Sequence, residues 1–174
     1  MRFLSHCLIL VLLLLTPVTI TPQNPEGFFE DSEKQYTLRL PAKWTAIVNK
    51  DGLGRDDVIF VWGSTREDGA MTVRRMDIDA AMKSADAAKK DEDQTLRFRP
   101  GYARGAVENF AATYDTTVVS YDYTQAGRPK MGRKYYLRVN DTTVYTLWFT
   151  GNRQTLGILR SQTDSIARSF KVTG

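Results

Sequence analysis

The chain has 174 residues, 24 Lys and Arg against 20 Asp and Glu, a net charge of +4, one histidine and one cysteine. That charge is ordinary for a soluble domain and is no nucleic-acid signature. His6 and Cys7 are neighbours in an apolar leader. Removing the leader removes the imidazole and the thiol, and with them a Ser-His-Asp triad, a thiolate nucleophile, any disulfide and a zinc site of the nitrogen/sulfur type.

Arg2, the unbroken apolar run Leu8–Leu15 and the stops Pro17 and Pro22 make the pattern of a secretory signal peptide. We expect a signal peptide over 1–22, a linker over 23–34, and one domain over 35–174 exported to the periplasm or secreted. An uncleaved N-terminal membrane anchor is the alternative, although the apolar run falls short of the about 20 residues of a span. Arg2 is the one charged residue before Glu26, so cleavage lowers the net charge by one unit.

Tyr36–Leu40 alternates apolar and polar residues and predicts a half-buried strand ended by Pro41. Trp44 is expected to fold back over the core edge, with a short strand at Thr45–Val48 and an Asp-Gly turn at 49–54. Val58–Trp62 and Ala70–Met76 predict an antiparallel pair around the loop 63–69. A helix is expected to begin at Asp77–Asp79, with Ile78, Met82, Ala85 and Ala88 as its apolar stripe and Lys89 and Lys90 near its end. Asp91–Gln94 then reads as a solvated loop. Pro100 breaks the chain, and Val107, Phe110, Ala111 and Tyr114 lie at helical spacing, weakened by Gly105. Thr116–Thr124, Gly132–Val139 and Thr143–Thr150 predict a strand meander, with turns at 125–130 and Asn140–Asp141. The C-terminus predicts a helix whose stripe is Leu156, Leu159, Ile166 and Phe170, with Arg153, Arg160 and Arg168 outside it.

Little chemistry remains for a mature chain without His or Cys. Asp91, Asp93 and Thr95 match the first ligand positions of a calcium loop, but Leu96 and Tyr102 stand where that loop needs Gly and Glu. Asp56/Asp57 and Asp77/Asp79 are paired acids of the kind a carboxylate hydrolase would use, but such acids at element boundaries usually serve capping and solubility. Gly52-Leu53-Gly54 is no dinucleotide fingerprint. No catalytic residue, metal ligand or cofactor is assigned. Two basic clusters stand out: Arg128, Lys130, Arg133 and Lys134 around one hairpin turn beside four tyrosines, and Arg97, Arg99 and Arg104 around Pro100. The first is the expected contact for a protein partner. The competing reading is a solvated hairpin tip with core tyrosines behind it. Asn140-Asp141-Thr142 is a formal glycosylation acceptor at a turn that favours Asn in any case.

The stretch Tyr36–Trp44, an aromatic-led strand followed by Pro41 and then Trp44, resembles the opening of PsbP-like domains. The strand ending near Val139, the Asn140–Asp141 turn, the aromatic strand Val144–Phe149 and the closing Ser169–Val172 are similar to the end of that family. The resemblance runs from about Glu26 to Val172. It implies an α+β fold, an α/β/α sandwich around an antiparallel sheet, and a binding or assembly role. Such domains include an extrinsic photosystem II subunit, a nuclear-transport regulator that binds a small GTPase, and many exported bacterial proteins of unknown role. The metal-binding histidines of the photosynthetic members have no counterpart in the mature chain. The expected function is therefore a non-catalytic, exported binding or assembly module for a protein partner at or near a membrane. The alternative is a carrier of an apolar or amphipathic small molecule in a cleft lined by Trp44, Trp62 or Trp148, and a carboxylate hydrolase comes third.

Overall fold

A computed structural model describes residues 27–173 apart from 32, 34 and 51–55. The leader with His6 and Cys7, and most of the expected 49–54 turn with Gly52–Gly54, lie outside the described residues. Among the described residues ten strands, β1 (Phe28–Asp31), β2 (Tyr36–Arg39), β3 (Trp44–Lys50), β4 (Asp56–Trp62), β5 (Gly69–Asp77), β6 (Ala103–Asn109), β7 (Asp115–Gln125), β8 (Arg128–Arg138), β9 (Thr143–Asn152) and β10 (Lys171–Val172), combine with helices α1 (Ser84–Gln94), α2 (Arg153–Ile158) and α3 (Arg160–Ser169). Seven strands form one antiparallel sheet in the order β3-β4-β5-β9-β8-β7-β6, and β1-β2-β10 form a small second sheet. The fold is α+β, with α1 on one face of the large sheet and α2, α3 and the small sheet on the other.

The meander is built from long alternating strands. β7 and β8 pair without a break from Asp115↔Arg138 to Gln125↔Arg128. Their turn is only Ala126-Gly127, both at positive φ (49° and 74°), the two-residue turn whose twist matches a hairpin. The turn is therefore tighter than the sequence suggests, and Arg128 and Lys130 already belong to β8. Alternation sends Val118, Tyr135, Leu137, Leu147 and Phe149 into the core beneath α2 and α3, and Val119, Tyr121, Tyr123, Tyr136 and Val144 beneath α1. Leu156, Leu159, Ile166 and Phe170 are all buried, as their spacing predicts, although the helix is broken in two at Leu159.

Other elements depart from expectation. Trp44 does not fold over as a lid; it starts β3 opposite Trp62. Phe28–Asp31, inside the stretch read as linker, pairs with β2 and puts Phe29 into the core. The helix expected from Asp77 starts at Ser84, and Asp77 ends β5 instead. The buried stripe of α1 is Ser84, Ala87, Ala88 and Asp91, so the expected solvated loop at 91–94 is helix. Asp115 on β7 accepts from the Ser84 backbone N–H (3.0 Å) and Oγ (2.9 Å), which satisfies the positive end of α1 with a carboxylate. Residues 103–109 are not helical but form the edge strand β6, with a bulge between Arg104 and Val107. Gly105 fits there because a Cβ would lie 2.7 Å from the Ser120 carbonyl oxygen.

Candidate functional site

The α1 face of the sheet carries a row in strict register: Ile47 on β3, Ile59 on β4, Thr72 on β5, Trp148 on β9 and Lys134 on β8. Helix α1 packs over β7 and β8. Toward β3 the row becomes accessible: Trp148, Thr72 and Ile59 are half-buried and Ile47 is 38% exposed.

Trp148 is fixed from three sides. Its Nε1 donates to the Tyr121 hydroxyl at 2.8 Å. The Tyr121 ring can lie there because Gly132 has no side chain, since a Cβ would sit 2.3 Å from Tyr121 Cζ. Arg99 stacks on the indole with its guanidinium carbon 4.4 Å from the ring centre, and 5.0 Å from that of Tyr123. Arg99 is placed by the chain that follows α1. A 3-10 turn at Leu96–Phe98 buries Leu96, the Arg99 N–H donates to the Leu96 carbonyl, and the Pro100 carbonyl accepts from Thr124 N–H at 2.7 Å, pinning the segment to β7. Arg99 Nε and Thr72 Oγ1 are shielded from solvent and find no hydrogen-bond partner among the described residues. Arg74, two residues beyond Thr72 on the same face of β5, is exposed.

Lys134 lies beneath, with its Nζ 5.6 Å from the Trp148 ring. It donates to Asp91 Oδ2 at 2.7 Å, and the Tyr136 hydroxyl donates to the same oxygen at 2.5 Å. Burial pulls the Lys134 ammonium below its ordinary range, Asp91 opposes that, and the charges of Arg74 and Arg99 add to it. Burial, reinforced by Asp91, pushes the Tyr136 hydroxyl far up.

The hairpin cluster does not form one exposed patch. Lys130 and Lys134 point to the α1 face and Arg133 to the other, as strand alternation requires. Lys130 is buried and bonded to Glu67. Arg133 is buried and donates to Tyr135 Oη (2.7 Å), Ser120 Oγ (3.0 Å) and Asp164 Oδ1 (2.9 Å), tying α3 to the sheet. Arg128 alone of the four is exposed, at the turn. The three tryptophans are divided too. Trp44 and Trp62 lie on the α3 face, where Trp44 Nε1 donates to Gln162 Oε1 (2.9 Å) and its ring meets Phe149 edge-on, whereas Trp148 lies on the α1 face. They line no common cleft. Of the second basic cluster, Arg97 pairs with Asp93 and Arg104 with Glu92 at the surface, and Arg99 turns inward.

Asp91 and Asp93 are helical, and Asp91 is engaged by Lys134 and Tyr136, so the partial calcium pattern is not a loop. Among the described residues no three His, Cys, Asp or Glu side chains group to hold a metal. Asp57, Asp77 and Asp79 are all exposed. Among the described residues no helix is long and apolar enough to cross a membrane. Sequence reasoning missed Thr72, Arg74 and Gly132. The signal available was the even spacing of Thr72 and Arg74 on a predicted strand.

No family model and no curated protein matches the sequence. Solved structures do match the fold. LpqN of Mycobacterium tuberculosis, a protein involved in cell envelope biogenesis, is 12% identical over 88% of this chain and 90% of its own, with a TM-score of 0.58. The cyanobacterial PsbP (CyanoP) of Synechocystis is 15% identical over 83% of this chain and 91% of its own, at 0.54. A Bacteroides thetaiotaomicron protein is 11% identical at 0.54, over 85% of this chain but 48% of its own. The chain has the PsbP-like fold, an α+β sandwich with a seven-stranded antiparallel sheet.

Proposed function

We propose that the protein is a non-catalytic, exported binding module of the cell envelope that holds a protein partner at or near a membrane. The observation that carries this reading is the part-exposed row Ile47–Ile59–Thr72–Trp148, an apolar and aromatic surface held rigidly across four strands. The likeness to LpqN supports an envelope setting, and the leader supports export. The absence of His and Cys from the mature sequence supports a non-catalytic role. Because Lys130, Arg133 and Lys134 are taken up by internal pairs, the contact is assigned to the row, with Arg128 of the hairpin cluster left as a peripheral charge. A photo-crosslinking residue at position 47, in the full chain expressed in its native cells, should join one discrete protein. The same residue at Lys89, on the outer side of α1, should not. Equal labelling from both positions, or none from either, would refute the assignment.

A carrier role is the second reading. A cavity of about 420 Å³ lies between the start of α1 and the 109–117 segment, lined by Lys83, Ser84, Phe110, Tyr114 and Asp115, within the size range of small-molecule sites. A stoichiometric ligand seen by native mass spectrometry of protein purified from its source would favour it.

A further inference from the structure

From the charges around Trp148 we infer that the partner anchors itself with an acidic side chain, its carboxylate received by Arg74 and Arg99 against the Trp148 indole. The inference rests on the binding reading above and names the chemistry of the segment bound there.

The cations of β8 and those around Trp148 differ in how they are paired. Lys130, Arg133 and Lys134 each have a carboxylate within the fold: Glu67, Asp164 and Asp91. Arg74 and Arg99 have none among the described residues. Two acids of α1 are already engaged, Asp91 by Lys134 and Tyr136, and Glu92 by Arg104 and Tyr102. Positive charge is therefore in local excess, and Lys134 registers it, because the charges of both arginines disfavour its own. Two shielded polar atoms of residues next to Trp148, Arg99 Nε and Thr72 Oγ1, lack a partner among the described residues, and such atoms are rare in folded proteins. Arg99 is held by ring contacts rather than by an acceptor, so its planar fork is oriented in advance for a carboxylate. The surface beside it, Ile59 and Ile47, is apolar, and Phe98 next to Arg99 in sequence is 74% exposed. A segment alternating acidic and apolar residues matches that mixture, and its charge complements the arginines.

The test uses a fluorescently labelled peptide of alternating glutamate and valine, titrated into the full chain and followed by anisotropy. Binding should weaken with added salt, fall about tenfold in Arg99→Gln and in Arg74→Gln, and stay unchanged in Lys89→Gln. Arg74 is exposed, so its variant reports on binding even if Arg99→Gln perturbs folding, which thermal melts would reveal. Equal affinity for a lysine–valine peptide, or indifference to both arginine variants, would overturn the inference. So would loss of the glutamate peptide with binding to phosphatidylglycerol vesicles through the same arginines. If the peptide fails while the crosslink at position 47 persists, the acidic anchor is wrong and the binding reading stands. If both fail, both are wrong.

Discussion

At Gly132 the missing side chain makes room for the Tyr121 ring, and through that ring it sets the indole of Trp148. Gly132→Ala should therefore cost about 1–3 kcal/mol, the usual penalty for overfilling a packed site, and should change the emission of Trp148. Urea unfolding followed by tryptophan fluorescence measures both, and an unchanged midpoint would show that Tyr121 relocates freely. Arg99 belongs to the same scale. The sequence marks it as one of three arginines around Pro100, but nothing in that cluster distinguishes it from Arg97 and Arg104. The distinction arises because the 3-10 turn and the Pro100–Thr124 hydrogen bond point Arg99 at Trp148, while its neighbours meet Asp93 and Glu92 outside.

Among the elements, α1 is docked by small residues and one buried acid. Asp91 receives both Lys134 and Tyr136 from β8, so Asp91→Asn leaves a buried ammonium without its counter-charge and should destabilise the fold by about 3–5 kcal/mol. Lys134→Met in the Asp91→Asn background should recover most of that loss, and a double-mutant cycle in urea gives the coupling. This docking explains why the sequence pattern and the true position of α1 differ. Ile78, Met82, Ala85 and Ala88 offer an apolar stripe, whereas the true stripe of Ser84, Ala87, Ala88 and Asp91 becomes interior only because a lysine and a tyrosine wait beneath it. The edge strand β6 is illegible in sequence for a related reason. Its residues are exposed throughout, so no alternation marks it, and pairing with β7 decides its conformation. The β7–β8–β9 meander and the burial stripe of α2 and α3 were legible, because alternation, turn residues and helical spacing each agree with the final packing.

For the molecule as a whole, buried tyrosines set the alkaline limit. Tyr36, Tyr121, Tyr135 and Tyr136 are raised above the ordinary value of 10.0, in each case chiefly by burial. Below about pH 10 both states keep these protons and stability does not depend on them. Above it the unfolded chain releases protons that the folded one retains, so each such tyrosine lowers stability by about 1.4 kcal/mol per pH unit. Lys134 works the other way, since its lowered value makes stability rise with pH up to its ordinary 10.5, but it is one group against four. The protein should thus unfold cooperatively above about pH 10, with tyrosinate absorbance appearing together with the loss of circular dichroism. Gradual ionisation ahead of unfolding would mean the hydroxyls reach solvent in the native state.

Composition determined which catalytic groups a mature chain could possess, residue periodicity determined most of the strands and the hairpin turns, and the short motifs at Tyr36–Trp44 and Val144–Phe149 carry the resemblance to PsbP-like domains. Those are local properties, carried by neighbours a few residues apart. Tertiary structure alone decided that Arg133 and Lys134 part to opposite faces, that the tryptophans share no cleft, and that Arg74 and Arg99 have no carboxylate among the described residues. Alternation states only that successive side chains face opposite ways. What covers each face, and which charge finds a partner there, depends on segments 31 to 63 residues distant, such as Lys134 with Asp91, Arg133 with Asp164 and Lys130 with Glu67.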